Sequence, residues 1–140
     1  MNSLNTFTQT KQTDFFFSYF AVGAPYGDKR LRLDSIKEIP IGTGTVSKPA
    51  YVFEYNNSVP TPSFENASID HWGYFNGTDG VSHLVPTVVV DGVSYGLGAN
   101  REPSLYYTQT CILQKIKYPT GGYTTFEYEL NEGKDQNTNI

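Results

Sequence analysis

Polar and apolar residues alternate along much of the first third of this chain, and the alternation predicts β-strands. Residues 30–36 alternate for three periods, which is the pattern of a strand with one face in water and the other against a core. An apolar stretch over 14–22 precedes them and predicts a more fully buried strand. No long segment of the sequence has its apolar residues spaced as in an amphipathic helix. The predicted elements are therefore almost all strands.

Two segments of the chain share an order of features that predicts a repeated β-hairpin. The first covers 33–55 and the second 113–128, and each begins with Leu and carries Ile-Lys, then Pro and Gly, then Phe-Glu-Tyr. Strand, turn and return strand in this order are typical of a hairpin. We therefore expect the segments around Phe53 and Phe126 to be return strands. In the first of them, one face should carry Tyr51, Phe53 and Tyr55 and the other Val52 and Glu54.

A further hairpin and a short helix complete the predicted elements. Residues 84–90 include a β-branched apolar run, and Asp91-Gly92 separates them from a second short strand at 93–95. Asp-Gly is a favoured two-residue hairpin turn, because these residues tolerate positive φ. Residues 103–109 allow a helical turn, because proline is accepted at the start of a helix.

The connection at 56–80 is long and rich in Asn, Pro and Gly, which predicts a loop. A loop of this length in a compact domain is uncommon and is either functional or held by its own side chains. We expect its aromatic residues to hold it, namely Phe64, Trp72, Tyr74 and Phe75.

Composition supports a mainly β class and one domain. The chain has 140 residues, and 15% of them are aromatic while only 17% are charged, a balance that favours half-buried strands over solvated helices. We expect antiparallel hairpins that form a sheet or sandwich-like module with little helix. Residues 14–131 form this module. Residues 1–13 are predicted as a loosely ordered polar leader or an edge strand, and 132–140 as a polar tail.

Charge and cysteine usage exclude several classes of function. The formal net charge is −4, and the sequence lacks the cluster of Lys and Arg that nucleic-acid binding requires. Cys111 is the only cysteine and cannot form an internal disulfide, so we expect a small buried apolar residue there. The N-terminus lacks the pattern of a signal peptide, and no apolar run is long enough to insert into a membrane.

Asp70, His71 and Trp72 form the strongest candidate site in the sequence. A carboxylate beside an imidazole suits acid–base chemistry or metal binding, with His83 as a further ligand. No activated nucleophile accompanies them, and zinc-type spacing is missing. We therefore favour a structural clasp, in which these residues together with Tyr74 and Arg101 hold the long loop. Arg101 would brace backbone carbonyls through its planar fork.

Carbohydrate binding is the second interpretation of the same segment. The rings of Trp72, Tyr74 and Phe75 could stack on a sugar while Asn76 and Asp79 bind its hydroxyls. Paired catalytic carboxylates are not assembled by the sequence, because Glu54 and Glu127 lie between aromatics on strands with solvated faces. We expect no catalytic residue, no cofactor and no metal.

Three motifs in fixed order resemble the region that precedes the repeat array of Rhs/YD-repeat proteins of Gram-negative bacteria. They are 70–77 (Asp-His-Trp-Gly-Tyr-Phe-Asn-Gly), 99–103 (Ala-Asn-Arg-Glu-Pro) and 116–129, within a likeness that covers about 30–131. Tyr128-Glu129 stands where the family has Tyr-Asp, which favours a module in front of the array. The resemblance implies a segment of a large secreted or cell-envelope protein whose tandem hairpins coil into a shell, often with a C-terminal toxin or effector.

The expected function is therefore structural and not enzymatic. The chain would help build or support such a shell, and its partner would be the remainder of its own polypeptide, including the repeats and the C-terminal effector. Exposed strand edges also predict self-association. The alternative is a carbohydrate-binding β-sandwich module.

Overall fold

The computed structural model describes residues 8–20, 29–42, 44, 46–66, 68–78 and 83–131, and this part of the chain is mainly β, which confirms the predicted class. Its elements, in chain order, are β1 (Lys11–Phe20), β2 (Arg30–Pro40), β3 (Tyr51–Tyr55), β4 (Val88–Val90), β5 (Val93–Tyr95), α1 (Leu105–Thr108), β6 (Leu113–Lys117) and β7 (Tyr123–Thr125). In the described ranges no helix has the length and apolar character needed to cross a membrane.

Five of the strands form one antiparallel sheet in the order β1-β2-β3-β6-β7, and β4 pairs with β5 in a separate two-stranded sheet. The return strand of the first hairpin thus lies directly beside the first strand of the second hairpin. One register row crosses all five strands, and its members are Phe16, Ser35, Val52, Lys117 and Tyr123. Residues in one row share a face of the sheet.

Both predicted hairpins are present, but the second return strand is shorter than expected. β2 and β3 pair through Ser35 and Val52, and β6 and β7 through Ile116 and Thr124. β7 ends at Thr125, and the ladder continues by one bond from the Phe126 N–H to a backbone carbonyl of β6 at 2.9 Å. Phe126 therefore lies just beyond the strand that was predicted to contain it.

The predicted facing of β3 holds for its first four residues. Val52 pairs with Lys117 and Phe53 with Ile116, so these neighbours alternate between the two faces. The register of the β3–β6 pair shifts between Glu54 and Tyr55, and such a shift interrupts the alternation at Tyr55.

β1 forms one edge of the sheet and begins three residues earlier than the predicted module. Lys11 pairs with Pro40, and its ammonium group lies 2.6 Å from the Glu38 carboxylate. Residues 11–13, which were predicted within the polar leader, thus belong to an edge strand. The remaining predictions for 1–7 and 132–140 lie outside the described residues.

The sheet leaves large apolar side chains in water on both faces. Phe15 is 55% exposed and Phe16 is 48% exposed, although neighbouring residues of a strand point to opposite faces. Among the described residues, the buried hydrophobic side chains are those of Val59 and Ala99, both outside the sheet. The strand over 14–22 was predicted to be buried, but within the described part of the chain no layer covers the Phe side chains of β1.

The hairpin of β4 and β5 and the short helix α1 confirm two local predictions. Asp91 and Gly92 have φ of +52° and +77°, the signs that a type I′ turn requires. All residues of both strands are exposed. α1 follows Ser104 and is only four residues long.

Candidate functional site

The candidate residues lie in an insert, residues 57–110, that leaves the sheet after β3 and returns before β6. A pair of backbone bonds closes its base, which we call the neck. The Asn56 N–H donates to the Ile112 carbonyl at 2.9 Å, and the Cys111 N–H donates to the Asn56 carbonyl at 3.2 Å. The insert therefore begins and ends at neighbouring points of the sheet.

Cys111 lies at the neck with a positive φ of +58°. It is half-buried, so the prediction of a small buried residue was wrong, because Cys111 lies at the neck, before β6 begins. Its Sγ lies 3.3 Å from Thr61 Oγ1.

Short polar side chains hold the insert by a repeated local device, the Asx turn. In each turn an Asn or Asp side-chain oxygen accepts the N–H of the residue two positions later. In the described part of the chain the pairs are Asn56 with Ser58, Asn66 with Ser68, Asp70 with Trp72, Asn76 with Thr78, and Asn100 with Glu102. These turns satisfy backbone donors that no strand or helix would satisfy.

Asp70 organises a tight tip loop, residues 69–75. One carboxylate oxygen, Oδ1, accepts the N–H of Trp72 at 2.8 Å and the N–H of Tyr74 at 2.9 Å. The Asp70 N–H donates to the Tyr74 carbonyl at 2.8 Å, and the Gly73 N–H donates back to the Asp70 carbonyl at 3.2 Å. Gly73 has a φ of +92°, which favours glycine. Asp70 is 1% exposed, so this carboxylate is part of the fold of the insert.

Arg101 and Asn76 fasten the tip loop to the segment before α1. Arg101 Nη2 donates to the Asp70 carbonyl at 2.6 Å. Asn76 Nδ2 donates to the carbonyls of Asn100 and Glu102 at 2.9 and 3.3 Å. Asn76 is buried, so it serves the interior of the insert and cannot form a surface sugar platform.

The aromatic residues of the loop behave differently from the prediction. Phe64, Trp72 and Tyr74 are exposed, Trp72 to 54% and Tyr74 to 52%. Phe75 alone of the four is half-buried, and its ring packs edge-on against Tyr107 of α1 with 5.5 Å between centroids. Asx turns and buried polar groups already fix this loop, so Trp72 and Tyr74 face solvent. The exposed ring of Phe64 lies 4.3 Å from the Arg30 guanidinium, outside the tip loop.

His71 lies within the tip loop and is exposed. No hydrogen bond links it to another described residue. His83 is elsewhere, with Nε2 2.6 Å from the Leu97 carbonyl. Within the described ranges no three His, Cys, Asp or Glu side chains lie close enough to hold a metal ion. Asp70, His71 and His83 therefore do not assemble into the metal site considered from sequence.

A cleft of about 280 Å³ opens beside the tip loop. Residues from three parts of the chain line it, and those among the described residues are Asp70, Trp72, Tyr74, Pro103, Leu105, Thr108, Gln109, Ile112, Tyr128, Glu129, Leu130 and Asn131. Two buried polar atoms of this region, Asp70 Oδ2 and Arg101 Nε, have no hydrogen-bond partner among the described residues. Sequence reasoning did not place Tyr128 and Glu129 in this site, because only the return of the chain past β7 brings them to the tip loop. Gln109, which follows α1, was also missed, because its position depends on how α1 packs on the loop.

Comparison of the chain with protein-family models, with curated proteins and with solved structures found no match.

Proposed function

We propose that the chain is a non-enzymatic structural segment of a larger β-hairpin assembly of the Rhs/YD-repeat kind, in a secreted or cell-envelope protein. The observation that carries the proposal is the sheet itself, which exposes large apolar side chains on both faces. Its partner is the remainder of the polypeptide to which it belongs, and that partner covers the sheet.

Burial energetics supports this assignment. Each square ångström of apolar surface removed from water contributes about 25 cal/mol, so half-exposed Phe15 and Phe16 forgo much of their stabilising contribution. The row that crosses the sheet adds exposed Val52 and Tyr123 to the face that carries Phe16. Ser35 and Lys117 separate these apolar residues within the row, and a face that combines exposed apolar and polar side chains in this way suits an interaction site.

A recurring contact supports the hairpin repeat. The Tyr55 hydroxyl donates to the Leu33 carbonyl at 2.9 Å, and the Tyr128 hydroxyl donates to the Leu113 carbonyl at 2.6 Å. Each tyrosine ends a Phe-Glu-Tyr segment, and each leucine begins the matching hairpin. Equivalent bonds in two hairpins that pair side by side are what a tandem unit requires, and the sheet can accept further hairpins at β1 and β7.

Hydroxyl-radical footprinting tests whether the sheet is covered in the native protein. The purified chain and the intact source cells are irradiated, and oxidation of Phe15, Phe16 and Tyr123 is measured by mass spectrometry. We expect strong oxidation in the purified chain and protection in cells. Trp72 is the internal control, because the proposal places no cover over the cleft. Equal oxidation of the three sheet residues in both samples would reject the proposal.

The coding sequence on either side of this segment tests the Rhs/YD-repeat part separately. A downstream array of Tyr-Asp hairpins supports it. A neighbouring glycosidase domain would instead favour the carbohydrate-binding module.

A further inference from the structure

We propose that the cleft beside Asp70 binds a single neutral sugar ring, with the Asp70 carboxylate as acceptor for a sugar hydroxyl and the rings of Trp72 and Tyr74 as stacking surfaces. The inference does not rest on the proposed structural function, because it concerns the insert and not the sheet.

The Asp70 carboxylate is the first observation. Its Oδ1 is fully used by two backbone N–H groups, whereas its Oδ2 has no donor in the described structure. A buried carboxylate oxygen without a partner is costly. Asp70 is among the residues that line the cleft, so a hydroxyl group of a ligand in the cleft can supply the missing donor.

The aromatic walls are the second observation. Trp72, Tyr74 and Tyr128 line the same cleft, and none of them stacks on another described aromatic ring. Their faces are therefore not occupied by one another. An aromatic face attracts the electron-poor C–H edge of a saturated ring, and Trp and Tyr combine such a face with a polar group.

The polar lining of the cleft suits a ligand with several hydroxyl groups. Asp70 and Glu129 both line it, and their carboxylates accept hydrogen bonds from hydroxyls. Arg101 donates to the Asp70 backbone carbonyl at 2.6 Å and forms no ion pair with its carboxylate among the described residues, so the hydroxyls of a ligand are left to donate. Thr108, Gln109 and Asn131 add uncharged polar groups to the wall, and these can both donate to and accept from hydroxyls.

The volume of the cleft limits the ligand to one ring. Small-molecule sites span about 300–1,000 Å³, and this cleft, at about 280 Å³, is slightly smaller than that range. A longer glycan would extend from it into solvent.

Trp72 is the only tryptophan of the chain, so its fluorescence reports on the cleft directly. The full chain is titrated with glucose, galactose and N-acetylglucosamine, and saturation-transfer NMR identifies which protons of the sugar contact the protein. We expect saturable binding of at least one sugar, a shift of the Trp72 emission, and the strongest saturation transfer to the ring C–H protons.

Two variants and one matched control locate the binding. Tyr74→Ala removes an exposed ring while leaving the backbone N–H that donates to Asp70, and Asp70→Asn keeps the Oδ1 acceptor but replaces Oδ2 by an amide. Each should weaken sugar binding about tenfold or more, as expected for loss of a hydrogen bond to a charged group or of a stacking face. Tyr95→Ala, on exposed β5 and outside the cleft, should bind as the unaltered chain does.

Circular dichroism and thermal melting establish that each variant is folded, and Tyr74→Ala decides the matter if Asp70→Asn does not fold. Absence of saturable sugar binding by the unaltered chain overturns the inference. Equal affinity in folded Tyr74→Ala overturns it as well. Binding of tetramethylammonium in place of any sugar would assign the cleft to an organic cation and would also overturn it.

Discussion

Gly77 packs its backbone against the ring of Tyr107 so closely that a Cβ atom at this position would overlap the ring. Phe75 contacts the same ring edge-on, with 77° between the ring planes. Tyr107 thereby joins α1 to the C-terminal end of the tip loop. Asp70, whose hydrogen bonds also hold the loop, lies near its N-terminal end. Glycine is required at this point for space as well as for its φ of +75°.

Gly77→Ala should therefore destabilise the insert more than a backbone effect alone would. Positive φ costs a non-glycine residue about 1 kcal/mol or more, and overlap with a packed ring adds about 1–3 kcal/mol. Gly73→Ala is the matched control, because Gly73 also has positive φ but open space at the Cβ position. Urea unfolding should show the larger loss for Gly77→Ala, and equal losses would contradict the packing argument.

The paired tyrosine bonds of the two hairpins give a second prediction. Removing either hydroxyl, in Tyr55→Phe or Tyr128→Phe, should lower the free energy of unfolding by about 0.5–1.5 kcal/mol, the net worth of one hydrogen bond. Tyr123→Phe should have no measurable effect, because the Tyr123 hydroxyl makes no hydrogen bond within the described structure. A loss in the control as large as in the other two variants would argue against this role for the bonds.

Phe126→Ala tests the consequence of the shortened strand β7. A fully buried phenylalanine would cost about 3–5 kcal/mol on truncation, but Phe126 is 38% exposed and should cost only about 1–2 kcal/mol. Glu127→Ala, at the exposed neighbouring position, should change the stability little. Thermal and urea unfolding measure both, and equal costs at the two positions would contradict the observed difference in environment.

Acid should weaken the contact between β3 and β6 through Glu54. A side-chain hydrogen bond from Lys117 is the main cause that lowers the pKa of Glu54 below its ordinary value of 4.5. A carboxyl with a lowered folded-state pKa stabilises the fold above the unfolded-state value and loses this contribution as the pH falls through the folded-state value. Stability should thus decline below pH 4.5.

The matched comparison for this pH dependence is Glu54→Gln against Glu127→Gln. The first variant should show a shallower decline in the urea midpoint as the pH falls below 4.5, whereas the second should follow the unaltered chain, since Glu127 forms no ion pair among the described residues. The effect will be small because both partners are about half exposed and water screens the pair. Identical acid profiles for all three proteins would exclude this contribution.

The free edge of the sheet should cause self-association. No described strand pairs with the outer side of β1, a strand of ten residues. About half of its backbone N–H and C=O groups point to this free side, because the others face β2. Sedimentation velocity of the chain should show oligomers that grow with concentration. Phe15→Lys places a charge on this strand and should reduce association. A strict monomer at high concentration would contradict the prediction.

Local patterns in the sequence were sufficient for the elements that depend on local chemistry. The strand over 30–36, the Asp91-Gly92 turn and the order of features in the two hairpins all reappear in the fold. The predicted wet and covered faces of 30–36 do not, because Leu31 is exposed and the other residues of β2 are half-buried. The boundaries of β1 and β7 were less accurate, because pairing with a neighbour decides where a strand begins and ends. Residues 11–13 are polar, and they become strand only because β2 is long enough to pair with them.

The interior of the insert was the least predictable part. We expected aromatic residues such as Trp72 to hold the loop together with Asp70 and Arg101. Trp72 is exposed, and Asp70 and Asn76 hold the loop by hydrogen bonds. An Asn or Asp two residues before a polar residue is a weak pattern by itself. Which of these side chains are buried depends on partners distant in sequence, such as Arg101, and periodicity carries no information about them.

Because the neck closes its base, the insert can vary in length without affecting the sheet. β3 leaves and β6 returns as direct neighbours, joined at Asn56 and Ile112. The entropic cost of closing such a loop grows only with the logarithm of its length. Inserts shorter or longer than this one can therefore replace it without altering the register of the five strands, so the surface that the insert forms can diversify while the sheet stays the same.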